Sequence, residues 1–92
     1  MRITFDPAKN VRNIAERGLS FDRVAELDWE TAVSEEDVRK DYGERRIRVL
    51  GTIDDAVYAA VITPRGEKIR VISLRRANKR EREAYAKRSR SG

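Results

Sequence analysis

The chain contains no cysteine and no histidine. The first absence excludes disulfides and cysteine-based metal sites. The second removes the usual proton carrier near neutral pH and the commonest metal ligand. Aromatic residues are scarce, at 7%, so an extended base-stacking platform for reading single strands is not expected. No apolar run approaches the roughly 20 residues that span a bilayer. The opening Met1-Arg2-Ile3-Thr4-Phe5-Asp6 also lacks the apolar stretch of a secretory signal. These readings lead us to expect a cytoplasmic protein with no membrane partner.

Charge is what the chain has in quantity. Charged residues make up 40% of the 92 and hydrophobic ones 39%, so a lean core is expected, in a domain small enough to be marginally stable alone. The expected organisation is one domain over residues 1–88 and a disordered tail over 89–92. The charge is uneven. Residues 1–46 carry nine Lys/Arg against eleven Asp/Glu, and residues 47–92 carry twelve against five. A basic second half suits a phosphate backbone or an acidic protein partner.

Local patterning gives a coarse layout. Arg2–Phe5 reads as a short edge strand. Asp6-Pro7 opens a helix, with Asp6 as cap and Pro7 where its missing N–H is harmless. Ala8, Val11, Ile14 and Ala15 recur at helical spacing and give one apolar face, and Gly18 ends the helix. Ser20 caps a second helix with Phe21, Val24 and Ala25 on its buried side. Thr31–Ser34 is a weak strand, and Ser34–Glu44 reads as a solvated loop. Ile47–Ile53 alternates like a strand with one apolar face. Asp54-Asp55 is a turn, Val57–Ile62 a central strand, Pro64-Arg65-Gly66 a turn, and Lys68–Arg75 the last strand. Asn78 and Glu81 form a capping box for a basic helix to about Lys87. The class expected is α+β: N-terminal helices on an antiparallel sheet, closed by a C-terminal basic helix.

Two clusters carry candidate chemistry. Ser34, Glu35, Glu36, Asp37 and Asp41 offer oxygen ligands, but Mg²⁺ needs carboxylates converging in rigid geometry, which a loop supplies poorly. No metal or cofactor is assigned. The run Arg70, Ser73, Arg75, Arg76, Lys79, Arg80 is more informative. Strict strand alternation puts Ser73 and Arg75 on one face and Arg70 and Arg76 on the other. One cluster forms only if a bulge or the strand end breaks the alternation. Arg75 and Arg76, near that end, are the best placed to grip a phosphate.

Several segments together resemble the BrnT family of toxins. They are Phe5-Asp6-Pro7-Ala8-Lys9-Asn10, Asn13, Gly18-Leu19-Ser20-Phe21, Asp41-Tyr42-Gly43-Glu44-Arg45-Arg46, Gly51, and Arg70-Val71-Ile72-Ser73-Leu74-Arg75-Arg76-Ala77 followed by Arg80-Glu81. The resemblance implies a fold similar to RelE-type toxins and metal-independent endoribonuclease activity. It also implies a BrnA-like antitoxin with a ribbon-helix-helix domain, through which the pair meets operator DNA indirectly. Where many members carry Lys-His-Gly, this chain has Glu16-Arg17-Gly18. Arg17 is no titrating base near neutral pH, although it can bind phosphate.

RNA brings its own nucleophile, the 2′-hydroxyl, so an enzyme must orient it, stabilise phosphate charge and move protons. On the plan the resemblance implies, Arg75 stabilises charge with Arg70 or Arg76 assisting, and Ser73 donates a hydrogen bond. Glu44 or Tyr85 accepts the proton, and Arg76, Arg17, Lys79 and Arg80 bind phosphate. Ordinary pKa values of about 4 for Glu and about 10 for Tyr suit neither to fast proton transfer. Two alternatives use the same basic residues: a non-catalytic RNA- or ribosome-binding module, and an interaction domain for an acidic partner.

Overall fold

The computed structural model describes residues 1–91. Strand β1 (Arg2–Phe5) leads into helix α1 (Pro7–Arg17) and a 3-10 helix (Phe21–Glu26). Four strands follow, β2 (Val33–Glu36), β3 (Ile47–Ile53), β4 (Ala56–Arg65) and β5 (Lys68–Arg76), and then helix α2 (Lys79–Ser91). The sheet order is β1-β5-β4-β3-β2. Strands β2 to β5 form the expected antiparallel meander, and β1 adds to β5 in parallel, which makes the sheet mixed. The expected α+β class holds.

Most local signals do what their chemistry dictates. The Asp6 carboxylate accepts from the Ala8 N–H, and Gly18, at φ 68°, donates its N–H to the Ile14 carbonyl. Asn78 and Glu81 exchange the two bonds of a capping box at 2.9 and 2.8 Å. Asp54 and Asp55 both take positive φ, the backbone a two-residue hairpin turn requires. The second helix is 3-10 rather than α. Its buried residues Phe21 and Val24, followed by Leu27, fall three apart, which matches three residues per turn. The strand expected at Thr31–Ser34 lies at Val33–Glu36. Pro64 is not in a turn: it lies in β4 opposite Ile69, and Gly66 makes the bend. Helix α2 runs past Lys87 to Ser91, because Ala84, Ala86, Lys87 and Arg88 are good helix formers and no Gly or Pro interrupts them. Of the tail expected over 89–92, residue 92 lies outside the described residues.

Helix α1 departs most from its pattern. A helical apolar face normally packs on a core. Here Val11 is 66% and Ile14 45% exposed, with Ala8 and Ala15 also outward. The inward residues are Asn10 and Asn13. Asn10 accepts the Phe21 N–H at 2.7 Å. Asn13 is buried and donates to the carbonyls of Leu19 (2.9 Å) and Leu74 (3.0 Å). The pairing of β1 with β5 stops at Val71, so the Leu74 carbonyl has no strand partner on that side and Asn13 supplies one. Backbone hydrogen bonds thus decide which side of α1 faces in.

The core lies on one face of the sheet, where Leu19, Phe21, Val24 and Leu27 pack on Val49, Ile53, Tyr58, Ala60, Ile62, Val71 and Leu74. We expect Asn13→Ala to leave two buried carbonyls without their donor and to cost about 1–3 kcal/mol. Urea unfolding of the two proteins measures it, and an unchanged midpoint would remove Asn13 from this role.

Candidate functional site

Strand β5 contains a bulge. Val61 pairs with Ser73 but Ile62 pairs with Val71, so Ile72 is an extra residue. Before it, Val71 faces the core; after it, Leu74 does. The same shift puts Arg70, opposite Thr63, on one face with Ser73, opposite Val61, and Arg75, opposite Ala59. The condition set by strand alternation is therefore met by a bulge. These three residues share the face turned away from the core.

Helix α2 lies across that face and encloses a groove of about 330 Å³. Its floor is apolar, formed by Val33, Leu50, Ala59 and Val61 with Ser73 beside them. Its walls carry Arg48, Arg75, Arg80 and Arg88, and the carboxylates Glu35 and Glu81. Arg75 grips Glu81 with two hydrogen bonds of 2.7 and 2.9 Å and also donates to the Arg76 carbonyl. Those bonds hold the Glu81 carboxyl below its ordinary range, and they raise Arg75 above its own. Glu35 pairs with Arg48 and, at 3.5 Å, with Arg88. Tyr85 stands farther along α2, its hydroxyl donating to the Thr31 hydroxyl at 3.0 Å.

The groove gathers only part of the candidate set: Ser73, Arg75 and Arg80. Arg70 shares the face but lies four strand positions away, opposite Thr63 rather than Ala59, about 13 Å at 3.3 Å per residue. Glu44 lies at the far end of the sheet. It pairs with Arg46 and Arg65, and Arg65 is six positions from Ala59 along β4, about 20 Å. The structure does not bring Glu44 to Arg75, because the loop before β3 leaves the sheet at the opposite end. Arg76 points to the other face, its guanidinium 5.3 Å from the centre of the Tyr58 ring. Arg17 ends α1, beside a shallow depression with Lys9, Arg12 and Ile72. Lys79 is exposed at the start of α2.

Arg48, Arg88, Glu35 and Glu81 were missed as groove residues. Arg48 and Glu35 were legible as partners only with the β2–β3 register, in which they stand opposite each other. The acidic cluster is also not what its spacing suggests. Glu35 and Glu36 sit on alternate faces of β2, and Glu36 pairs with Arg45. Asp37 is buried. Among the described residues no three His, Cys, Asp or Glu side chains converge as metal ligands. Nor is any helix among them long and apolar enough to cross a membrane.

The groove under α2, with four arginines and two glutamates over an apolar floor, belongs to a small basic α+β domain. The family model described as the ribonuclease toxin BrnT of type II toxin–antitoxin systems matches residues 5–81, and the chain belongs to that family. The match takes in the bulge, Arg75 and Glu81. No curated protein matches the chain.

The loop between β2 and β3 is held by Asp37. Its carboxylate accepts from the Arg39 backbone (3.2 Å), from the Arg39 side chain (2.9 and 2.9 Å) and from the Tyr42 hydroxyl (3.2 Å). The Arg39 side-chain bonds come first among the causes that hold the Asp37 carboxyl well below the ordinary carboxylate range. A depressed pKa contributes stability above the unfolded value, about 3.9, and loses it as pH falls through the folded value. Asp37→Asn should therefore melt lower than wild type at pH 7, and the gap should narrow below about pH 4. Thermal melts across this range check it, and a gap that widens in acid would contradict it.

Proposed function

We propose that the chain is a metal-independent endoribonuclease acting in the cytoplasm, with the groove between α2 and the sheet as its RNA site. The observation that carries this reading is the bulge at Ile72, which turns Ser73 and Arg75 into a face where Arg48, Arg80 and Arg88 converge. The RNA 2′-oxygen attacks the adjacent phosphorus and the bond to the 5′-oxygen breaks. The products are a 2′,3′-cyclic phosphate and a 5′-hydroxyl. Arg75, oriented by Glu81, stabilises the added charge on the phosphate; the bonds to Glu81 use its NH1 and NH2 and leave Nε–H outside that pair. Ser73 donates to a phosphate oxygen, and Arg80 and Arg48 hold neighbouring phosphates. Arg70 and Lys79 extend the track beyond the groove, whereas Arg76, over the Tyr58 ring, and Arg17, at the end of α1, lie outside it.

The proton acceptor assigned here is Glu35, not Glu44. Glu81 has both oxygens committed to Arg75 and one also to Asn78. Glu35 is half exposed, with its second oxygen held by Arg88 only at 3.5 Å. Neutralisation falls to a BrnA-like antitoxin, through which operator DNA is met. The non-catalytic alternative, an RNA- or ribosome-binding module, has one observation in its favour: Arg75 is already neutralised by Glu81 in the empty groove.

The test is cleavage of a purified, ribosome-free RNA in EDTA. Wild type should cleave and leave a 2′,3′-cyclic end, and a 2′-deoxy substitution at the cut should block it. Arg75→Ala should lower the rate about 100-fold or more, the usual cost of removing one preorganised charge-stabilising donor. Glu44→Gln should cleave like wild type. Salt-sensitive RNA binding without cleavage would establish the binding module instead.

A further inference from the structure

Helix α1 turns its apolar side to solvent, and this sets an interaction surface apart from the groove. Around the helix axis Ile14, Val11, Ala15 and Ala8 occupy one arc of about 120°, at 100° per residue. Val11 and Ile14 are 66% and 45% exposed. The opposite side, with Asn10 and Asn13, is fastened to Phe21, Leu19 and Leu74, so α1 cannot roll to bury the arc without losing those bonds. Arg12 follows the Ala8 edge of the arc by about 40° and Arg17 the Ile14 edge by about 60°, while Glu16 and Lys9 lie farther round toward Asn13. No ion pair among the described residues involves Lys9, Arg12 or Arg17.

We propose that this face of α1 docks an acidic amphipathic segment of the antitoxin, a proposal that rests on the toxin reading. The arc offers Val and Ile at helical spacing, which the apolar ridge of a partner helix can interdigitate. Carboxylates flanking that ridge would meet Arg12 and Arg17. RNA gains little here, since an arc of Val, Ile and Ala offers its phosphates neither charge nor hydrogen bond. A second copy of the chain does not fit either. Packing α1 on its own copy sets Lys9, Arg12 and Arg17 against like charges. An eleven-residue helix is also only about 16 Å long and about 10 Å wide, so its face covers far less than the roughly 800 Å² per partner of a stable interface. For the same reason the partner must continue beyond α1, which a flexible segment wrapping the domain does readily.

No residue of α1 lines the groove, so the two activities separate by mutation. The experiment measures binding of the purified cognate antitoxin, together with RNA cleavage, for wild type, Val11→Asp, Ile14→Asp, Arg12→Glu and Arg75→Ala. Circular dichroism melts confirm that each variant is folded; Val11 and Ile14, being exposed, tolerate Asp. Val11→Asp and Ile14→Asp should each weaken antitoxin binding about tenfold or more, the range of interface anchors, while cleaving RNA at the wild-type rate. Arg12→Glu should weaken it less and reduce its salt dependence. Arg75→Ala should bind the antitoxin as wild type does. Wild-type affinity in both Asp variants would overturn the proposal, as would a wild-type toxin that is dimeric alone and made monomeric by Val11→Asp. Failure of wild type to cleave RNA, with the Asp variants still losing the antitoxin, would instead count against the ribonuclease reading and leave the docking face standing.

Discussion

The architecture turns on the single extra residue in β5. A strand that alternates strictly cannot send both Val71 and Leu74 into the core. Nor can it send Arg70 together with Ser73 and Arg75 to the opposite face. The bulge at Ile72 satisfies both demands at once, because shifting the register by one exchanges every side chain beyond it. Without it, Leu74 would face the groove and Arg75 would face Tyr58. The core would lose a fully buried residue and gain a charge, a costly exchange in a domain with so little apolar surface to spare.

Polar links carry much of what apolar packing does in larger domains. Asn13 joins α1 to the unpaired side of β5, and Glu81 joins α2 to the end of the same strand. Each link reuses a group that local structure already required. The Leu74 carbonyl needed a donor, and the Glu81 carboxylate was already closing the capping box with Asn78. A bidentate Arg–carboxylate pair added to a cap fixes both the direction of α2 and the plane of the Arg75 guanidinium. Helix α2 itself has little apolar surface to hold it, so its seat on the sheet depends on Glu81, on Arg88 with Glu35, and on Tyr85 with Thr31. The groove is in this sense made by ion pairs, and its shape is tied to the charges that line it.

Much of this was legible in the sequence. Caps, the Asp54-Asp55 turn and the alternation of β3 are local chemistry, and they reported their elements correctly. The β3-β4-β5 order followed from two-residue turns, while β2 joins through the longer segment 37–46. The 3-10 helix was visible in the spacing of Phe21, Val24 and Leu27 but was read with the wrong period. Pro64 was read as a turn because proline is poor in a central strand, yet near the end of β4 it meets only Ile69 of β5. The face of α1 was not legible. Its apolar spacing is strong, and nothing local says that Asn13 will be needed by a carbonyl 61 positions away. The candidate site was half legible for the same reason. Residues on β5 were found because they are neighbours in sequence. Glu35 and Arg48 became partners only through strand register, and Glu44 was chosen by motif although its loop leaves the sheet at the far end.

The charge state of the empty groove bears on how it works. Four arginines line it against two glutamates, and Arg48, Arg75 and Arg88 are each paired with one of those acids. A phosphate that enters must share or displace a carboxylate. Both are charge-assisted acceptors of similar strength, so each exchange gains little by itself. The net gain comes from the surplus of two positive charges, from the apolar floor, and from counterions released by RNA. On the proposed reading such a site binds RNA modestly and with strong salt dependence, and the pair with Glu81 fixes the Arg75 guanidinium. That preorganisation is the quantity that matters for a reaction whose nucleophile comes with the substrate. On the proposed reading, fixed guanidinium groups meet the transition-state charge and Glu35 takes the proton, which is how a chain without histidine carries the chemistry.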